Sequence, residues 1–105
     1  MADVDGEIRI IARTGKVIMG SRRSLRELKL GRVKLVIVAS NCPRRIVEDV
    51  KHYAKLSKTP VYFYPKSNVE LGIACGKPFT VSVLAVKDFG DSNIMRTLGY
   101  EKAES

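Results

Sequence analysis

"KLVIVASNCP", residues 34–43, decides how the rest of the chain is read. Its first seven residues form a continuous apolar run rich in β-branched side chains. A strand with one wet face would alternate apolar and polar residues, so this run predicts a strand covered on both faces. Pro43 then supplies the fixed φ of a first helical turn, and a helix follows to about Leu56 with Ile46, Val50 and Tyr53 facing inward. A doubly covered strand passing into a helix is the unit of an α/β fold.

Reading outward, the neighbouring segments repeat this alternation. Toward the N-terminus, Ile8, Ile11 and Ala12 have helical spacing and Gly15 is a stop, which predicts a first helix near 4–15. "KVIMG" (16–20) follows as a strand. "SRRSLRELKLG" (21–31) sets Leu25 and Leu28 on one side of a helix and Arg22, Arg26 and Lys29 on another. Either Ser24 with Glu27, as a capping box, or Ser21 would begin that helix. Toward the C-terminus, "PVYFY" (60–64) is a third strand. A short helix over Asn68 to Cys75, a fourth strand "TVSVLAV" (80–86) and a small helix over Asp91 to Leu98 complete the series. The alternation predicts an α/β chain folded as a three-layer α/β/α sandwich. With no repeat, low-complexity tract or long linker, one domain over 1–105 is expected.

A chain of 105 residues can bury roughly two-thirds of its unfolded surface. Its 45% apolar and 29% charged content is that of a globular protein, and its apolar runs are too short to span a bilayer. The opening "MADVDGEIRI" lacks the basic and apolar regions of a secretory signal, so a cytoplasmic location without membrane association is expected. Cys42 and Cys75 then read as free thiols. With His52 they are too few for a Cys/His zinc tetrad, and neither belongs to a C-x-x-C pair. Glu48 and His52 have i, i+4 spacing, which reads as a solvated helix face. No convergent acid, base or nucleophile set is present, so neither an enzyme nor a cofactor is expected.

The net charge of +8 and pI near 9.8 point instead to a polyanionic partner. From Arg9 to Lys34 there are nine basic residues (Arg9, Arg13, Lys16, Arg22, Arg23, Arg26, Lys29, Arg32, Lys34) against one acid, Glu27. This is the expected phosphate-facing region. Within it the start of the second helix, with unpaired N–H groups and the positive end of the dipole, lies beside Arg22 and Arg23 and suits an anion.

"ELGIACGKPFT" (70–80) superficially resembles a phosphate-binding loop. A Walker A loop places four residues between its glycines and a hydroxyl after the lysine, and leads from strand to helix. Here three residues separate Gly72 from Gly76, Pro78 follows Lys77, and the segment leads from helix to strand. Three loops can instead be compared. "GSRRS" and "SNCP" follow strands, whereas "GKPFT" precedes one, so all three share a sheet edge only if the fourth strand is antiparallel to the first two. Base recognition needs polar side chains and stacking surfaces, and these loops offer Asn41 and Phe79. Pattern alone leaves Phe79 open as a core aromatic and Asn41 open as a cap or turn residue.

Taken together, "TGKVIMGSRRSLRELKLGRVKLVIVASNCP", "HYAKLSKTPVYFY", "NVELGIACGKPF" and "GDSNIM" carry a family likeness. From about Ile8 to Leu98 the chain resembles the archaeal and eukaryotic L-thirty-e branch of the kink-turn RNA-binding family. That family also holds ribosomal protein L-seven-Ae and the box C/D guide-RNA core protein. The resemblance implies a mixed four-stranded sheet, and so supplies the antiparallel strand. It implies a non-catalytic component of the large ribosomal subunit that binds kinked rRNA, has ribosomal proteins as neighbours and is a monomer when free. By the same resemblance Gly20, Ser21 and Arg22, with Arg23 and Arg26 beside them, hold the RNA backbone and the tandem G·A pairs. Asn41 contacts a guanine edge, and Lys77, Phe79 and Val81 cover an extruded base, the loop's glycines letting it approach RNA closely. The guide-RNA proteins carry Asn-Glu-x-x-Lys where this chain has "GSRRS", which favours the ribosome. An acidic protein-interaction or stress-signalling member of the fold is the alternative, and the basic charge speaks against it.

Overall fold

The computed structural model describes residues 3–99. In chain order these form α1 (Val4–Thr14), β1 (Lys16–Met19), α2 (Ser21–Lys29), β2 (Leu35–Val38), α3 (Arg44–Ser57), β3 (Val61–Phe63), α4 (Asn68–Ala74), β4 (Val83–Asp88) and α5 (Ile94–Thr97). The four strands make one mixed sheet in the order β1-β4-β2-β3. β2 and β3 run parallel, and β4 runs antiparallel to both β1 and β2, as the shared-edge reading required.

All four residues of β2 are buried, because helices cover both faces of the strand. Strand periodicity divides its side chains, and those of β4, between two cores. Leu35, Ile37, Leu84 and Val86 pack with Ile8 and Ile11 of α1, Leu71 and Ala74 of α4 and Ile94 of α5. Val36, Val38, Val83 and Ala85 pack with Leu28 of α2 and with Val50 and Ala54 of α3. The chain is therefore a three-layer α/β/α sandwich. Each fully buried aliphatic side chain in it contributes about 1.5–3 kcal/mol of transfer free energy.

Several element starts differ from those predicted. Gly20, at φ 114 and ψ 144, is the N-cap of α2, and no side chain caps the helix. That sharp turn makes Ser21 the first helical residue and carries Ser24 into the interior. Ser24 is 1% exposed, and its hydroxyl donates to the Ile18 carbonyl at 3.2 Å, so it forms no capping box with Glu27. Pro43 is the N-cap of α3, not part of its first turn. Ile46 and Tyr53 are only half-buried on that helix. β4 begins at Val83, not Thr80, because the Val81 N–H bonds to the Asn68 carbonyl at the start of α4 instead of to a strand. Tyr64 lies just past β3. It is 2% exposed and donates its hydroxyl to Asp5 Oδ1 at 2.9 Å.

Candidate nucleic-acid interface

Because β4 is antiparallel to its neighbours, its entry meets the exits of β1 and β2 at one sheet edge. Backbone hydrogen bonds join the three segments there: Gly20 N–H to the Val83 carbonyl at 3.0 Å, and Ala39 N–H to the Ser82 carbonyl at 2.9 Å. Ser40 N–H adds the end of the β3 segment by bonding the Lys66 carbonyl at 2.9 Å. Gly20, Asn41 and the loop entering β4 are thus assembled on one rigid edge. At Gly20 an added Cβ would meet nothing within 4 Å, so the positive φ alone calls for glycine and the space before it is open.

Asn41 is exposed and does not cap its own helix, α3. Its Oδ1 accepts from the Asn68 backbone N–H at 2.8 Å, and its Nδ2 donates to Asn68 Oδ1 at 3.0 Å. Asn68 in turn donates from Nδ2 to Ser82 Oγ at 3.4 Å. Asn68 and Ser82 gave no signal in the sequence, because only the docking of α4 and β4 at this edge brings them to Asn41.

The glycine loop has an internal explanation. A Cβ on Gly72 would fall 1.9 Å from the Phe79 carbonyl oxygen, so this glycine lets the loop backbone lie directly on α4. Gly76, at φ 77, ends the helix with its N–H bonded to the Ile73 carbonyl at 2.8 Å, while Lys77 N–H returns to the Gly72 carbonyl at 2.9 Å. At Gly72 the expectation of close approach to RNA gives way to this role within the chain, whereas the space before Gly76 is open. The loop holds Phe79 outward: it is 54% exposed and so not a core aromatic. With the exposed side chains of Val69 and Ile73 it lines an open depression of about 260 Å³ that Lys77 also borders. Val81, by contrast, is 1% exposed and belongs to the core. Its side chain anchors the loop and does not face outward.

The basic segment is divided by the fold. Arg9 and Arg13 are on α1, in the layer opposite α2, and Arg9 borders a groove with Asp3, Asp5 and Glu70. Lys16, Arg32 and Lys34 lie at the far sheet edge, where strands β1 and β2 begin. Of the elements in this segment, only α2 presents its cations next to the loop edge. Arg22, Arg23 and Arg26 are exposed, and Arg22, Arg26 and Lys29 line an open groove of about 480 Å³ with Leu25 and Leu30. Ser21, the first residue of α2, is half-buried beside Gly20. α3 starts at this same edge, also without a side-chain cap, and Arg44 and Arg45 are exposed in its first turn. The sequence reading passed over these two because the basic count stopped at Lys34.

Cys42 and Cys75 are free and buried in different layers, and neither joins the site. Burial pushes both thiols up, Cys75 to about 11, against a small opposing pull from the Lys77 ammonium. Glu48 and His52 are exposed, with the His52 ring meeting Tyr53 edge-on at 4.8 Å. Among the described residues no group of three or more His, Cys, Asp or Glu side chains could hold a metal ion, and no helix is long and apolar enough to cross a membrane.

Comparison with known proteins agrees with this architecture. A solved structure titled as a protein with unknown function from Bacillus halodurans superposes with a TM-score of 0.80 at 25% identity, covering 96% of this chain and all of the other. A protein named large ribosomal subunit protein eL30 from Methanobrevibacter smithii is 55% identical over 98 residues, 93% of this chain and 99% of the relative. The protein of the same name from Methanothermobacter thermautotrophicus is 52% identical over 97 residues, covering 92% and 99%. That from Methanocaldococcus jannaschii is 51% identical over 102 residues, covering 97% and 91%. Residues 2–96 match the family model described as the ribosomal protein L7Ae/L30e/S12e/Gadd45 family. The fold, the assembled loop edge and this match extending over most of the chain place it plainly: it belongs to the ribosomal protein L7Ae/L30e/S12e/Gadd45 family.

Proposed function

We propose that this chain is a non-catalytic component of the large ribosomal subunit in the cytoplasm, where it binds a kinked segment of rRNA through the sheet edge that carries Gly20, Asn41 and the loop from Gly76 to Ser82. It acts as one RNA-binding domain over 1–105, is a monomer when free, and has other ribosomal proteins as neighbours. The named relatives, all large-subunit ribosomal proteins, support the ribosomal assignment.

The observation that carries the RNA reading is the meeting, at one edge, of three different recognition elements. Gly20 and the uncapped start of α2, with Ser21, Arg22, Arg23 and Arg26, offer backbone N–H groups and guanidinium groups to phosphates. Asn41 offers a polar amide to a base edge. Lys77 and Phe79 offer a cation and an exposed aromatic face to an unstacked base, the kind of contact that single-stranded or splayed nucleotides make and a continuous duplex does not. Val81, buried in the core two residues on, ties the loop that carries Phe79 to α4 through its N–H bond to the Asn68 carbonyl.

A titration of the protein against a kink-turn RNA and a plain duplex of equal length, at several salt concentrations, tests the reading. Binding to the kink-turn should be tighter by a factor of ten or more, with a similar salt slope for both RNAs, because phosphate contacts are shared and base contacts are not. Equal affinity for the two would remove it.

A further inference from the structure

We infer that Asn68 is a positioning residue for Asn41, fixing it as a single, one-directional hydrogen-bond donor toward RNA. The inference rests on the proposed RNA-binding role of this edge.

A side-chain amide ordinarily reads a base with its oxygen and its NH₂ together, as when asparagine pairs with adenine. At Asn41 both atoms are already directed to one residue, Oδ1 to the Asn68 backbone N–H at 2.8 Å and Nδ2 to Asn68 Oδ1 at 3.0 Å. A backbone N–H can only donate, so the first contact settles which end of the Asn41 amide is oxygen. Asn68 is held in the matching sense by its own donation to Ser82 Oγ at 3.4 Å. The order of these bonds runs from the entry of β4, through the first residue of α4, to the loop after β2. The edge of the amide that pairs oxygen and NH₂ side by side is thus taken by Asn68, and what Asn41 keeps for a ligand on its nitrogen is one N–H, pointing away from that edge. N7 accepts in both purines, so the discrimination lies at the neighbouring group: that N–H suits guanine O6, which accepts, and is mismatched with the N6 amino group of adenine, which donates. Bidentate adenine readout is closed to it.

The test uses full-length protein and two RNAs, a kink-turn and the same RNA with adenine replacing the guanine of a G·A pair. Asn68→Pro removes the N–H and the side-chain amide together, at a first helical position whose backbone proline fits. Asn68→Asp keeps both the N–H and an acceptor oxygen. Asn68→Pro should lower the preference for the guanine RNA by about tenfold, the equivalent of roughly one lost orienting interaction. The double variant with Asn41→Ala should be no worse than Asn41→Ala alone. Asn68→Asp should bind both RNAs more weakly, because of its charge, while keeping the preference. In the free protein the side-chain NH₂ resonances of Asn41 should shift in Asn68→Pro and stay close to wild type in Asn68→Asp.

A wild-type preference in Asn68→Pro, additive losses in the double variant, or unmoved Asn41 resonances would each overturn the inference. Thermal melts separate these from unfolding. If wild type binds kink-turn and duplex alike, the RNA-binding reading fails and takes the recognition role with it, while the resonances still decide whether the amide is locked.

Discussion

Four helices start at the same sheet edge, and they start in two different ways. α1 is capped by Asp3, whose side chain accepts from Gly6 N–H, and carries Asp5 and Glu7 in its first turn. α4 is capped by Ser67 and carries Glu70. α2 and α3 have neither a side-chain cap nor an acid in the first turn, and each instead places two arginines there, Arg22 and Arg23 in one and Arg44 and Arg45 in the other. A cation at the positive end of a helix is disfavoured, typically by about 0.3–1 kcal/mol, and the missing side-chain cap adds a few tenths of a kcal/mol where glycine stands at the N-cap, as Gly20 does in α2. One layer is thus built for its own stability, while the other leaves its N–H groups and positive charge for something outside the chain. An anionic ligand converts both penalties into binding.

The largest effect should come from the layer that is already satisfied. Gly72→Ala drives a Cβ into the Phe79 carbonyl oxygen, a backbone atom with no side-chain freedom, and should cost about 3 kcal/mol of stability in a denaturant melt. Gly20→Ala meets open space, so its cost is that of the φ alone and should be smaller, about 1–2 kcal/mol. Equal costs would mean that packing does not separate the two glycines.

Phe79→Ala comes next. An aromatic that is 54% exposed has little to lose on truncation, so the melt should stay close to wild type while kink-turn binding weakens by ~1–3 kcal/mol. A large loss of stability with intact binding per folded molecule would return Phe79 to a structural role.

Charge exchange between the two kinds of helix start gives a smaller and more pointed result. Arg22→Glu should stabilise the free protein by up to ~1 kcal/mol by correcting the charge at the start of α2, yet weaken RNA binding and lower the salt slope by about one. Glu70→Arg should destabilise by a similar amount. Stability changes of the same sign in both variants would break the contrast.

The smallest effect is at Asp5, where Lys66 Nζ lies 2.9 Å from Oδ2. Burial acts to raise this carboxyl, but the Lys66 ammonium and the Tyr64 hydroxyl outweigh it and hold the group below its ordinary value of 3.8. The folded pKa being depressed, the stabilisation is present above the unfolded pKa and is lost as pH falls through the folded one. Asp5→Asn should therefore lower the melting temperature by a few degrees near neutral pH, the equivalent of about 1 kcal/mol or less for so exposed a pair, and converge on wild type toward pH 2.

The layers were legible because apolar periodicity reports burial directly: "KLVIVAS" could only be a strand covered on both sides. The shared edge was legible as a condition on strand direction, which β4 meets. What escaped were features that depend on how elements dock. Asn68 and Ser82 are ordinary polar residues until β4 lies antiparallel beside β2. Val81 reads as part of the fourth strand and, by the family likeness, of the base-covering loop, but the loop's bond to α4 delays the strand and Val81 lies in the core. Arg9 and Arg13 are close to Arg22 in sequence, yet the sheet lies between them. Gly72 looks like a ligand-facing glycine, because a sequence does not say which backbone will come to rest on it.

The strand that completes the sheet is also the last to be made. β4 is paired on both sides, with β1 and with β2, and β1 has no other partner in the sheet. A growing polypeptide that has not yet passed Val83 can form only the short parallel pairing of β2 with β3, and the apolar faces of α1 and α2 have no finished surface to cover. Everything before Val83 can therefore be made without the sheet being closed, and a chain cut short of Val83–Asp88 should fail to give the native melt.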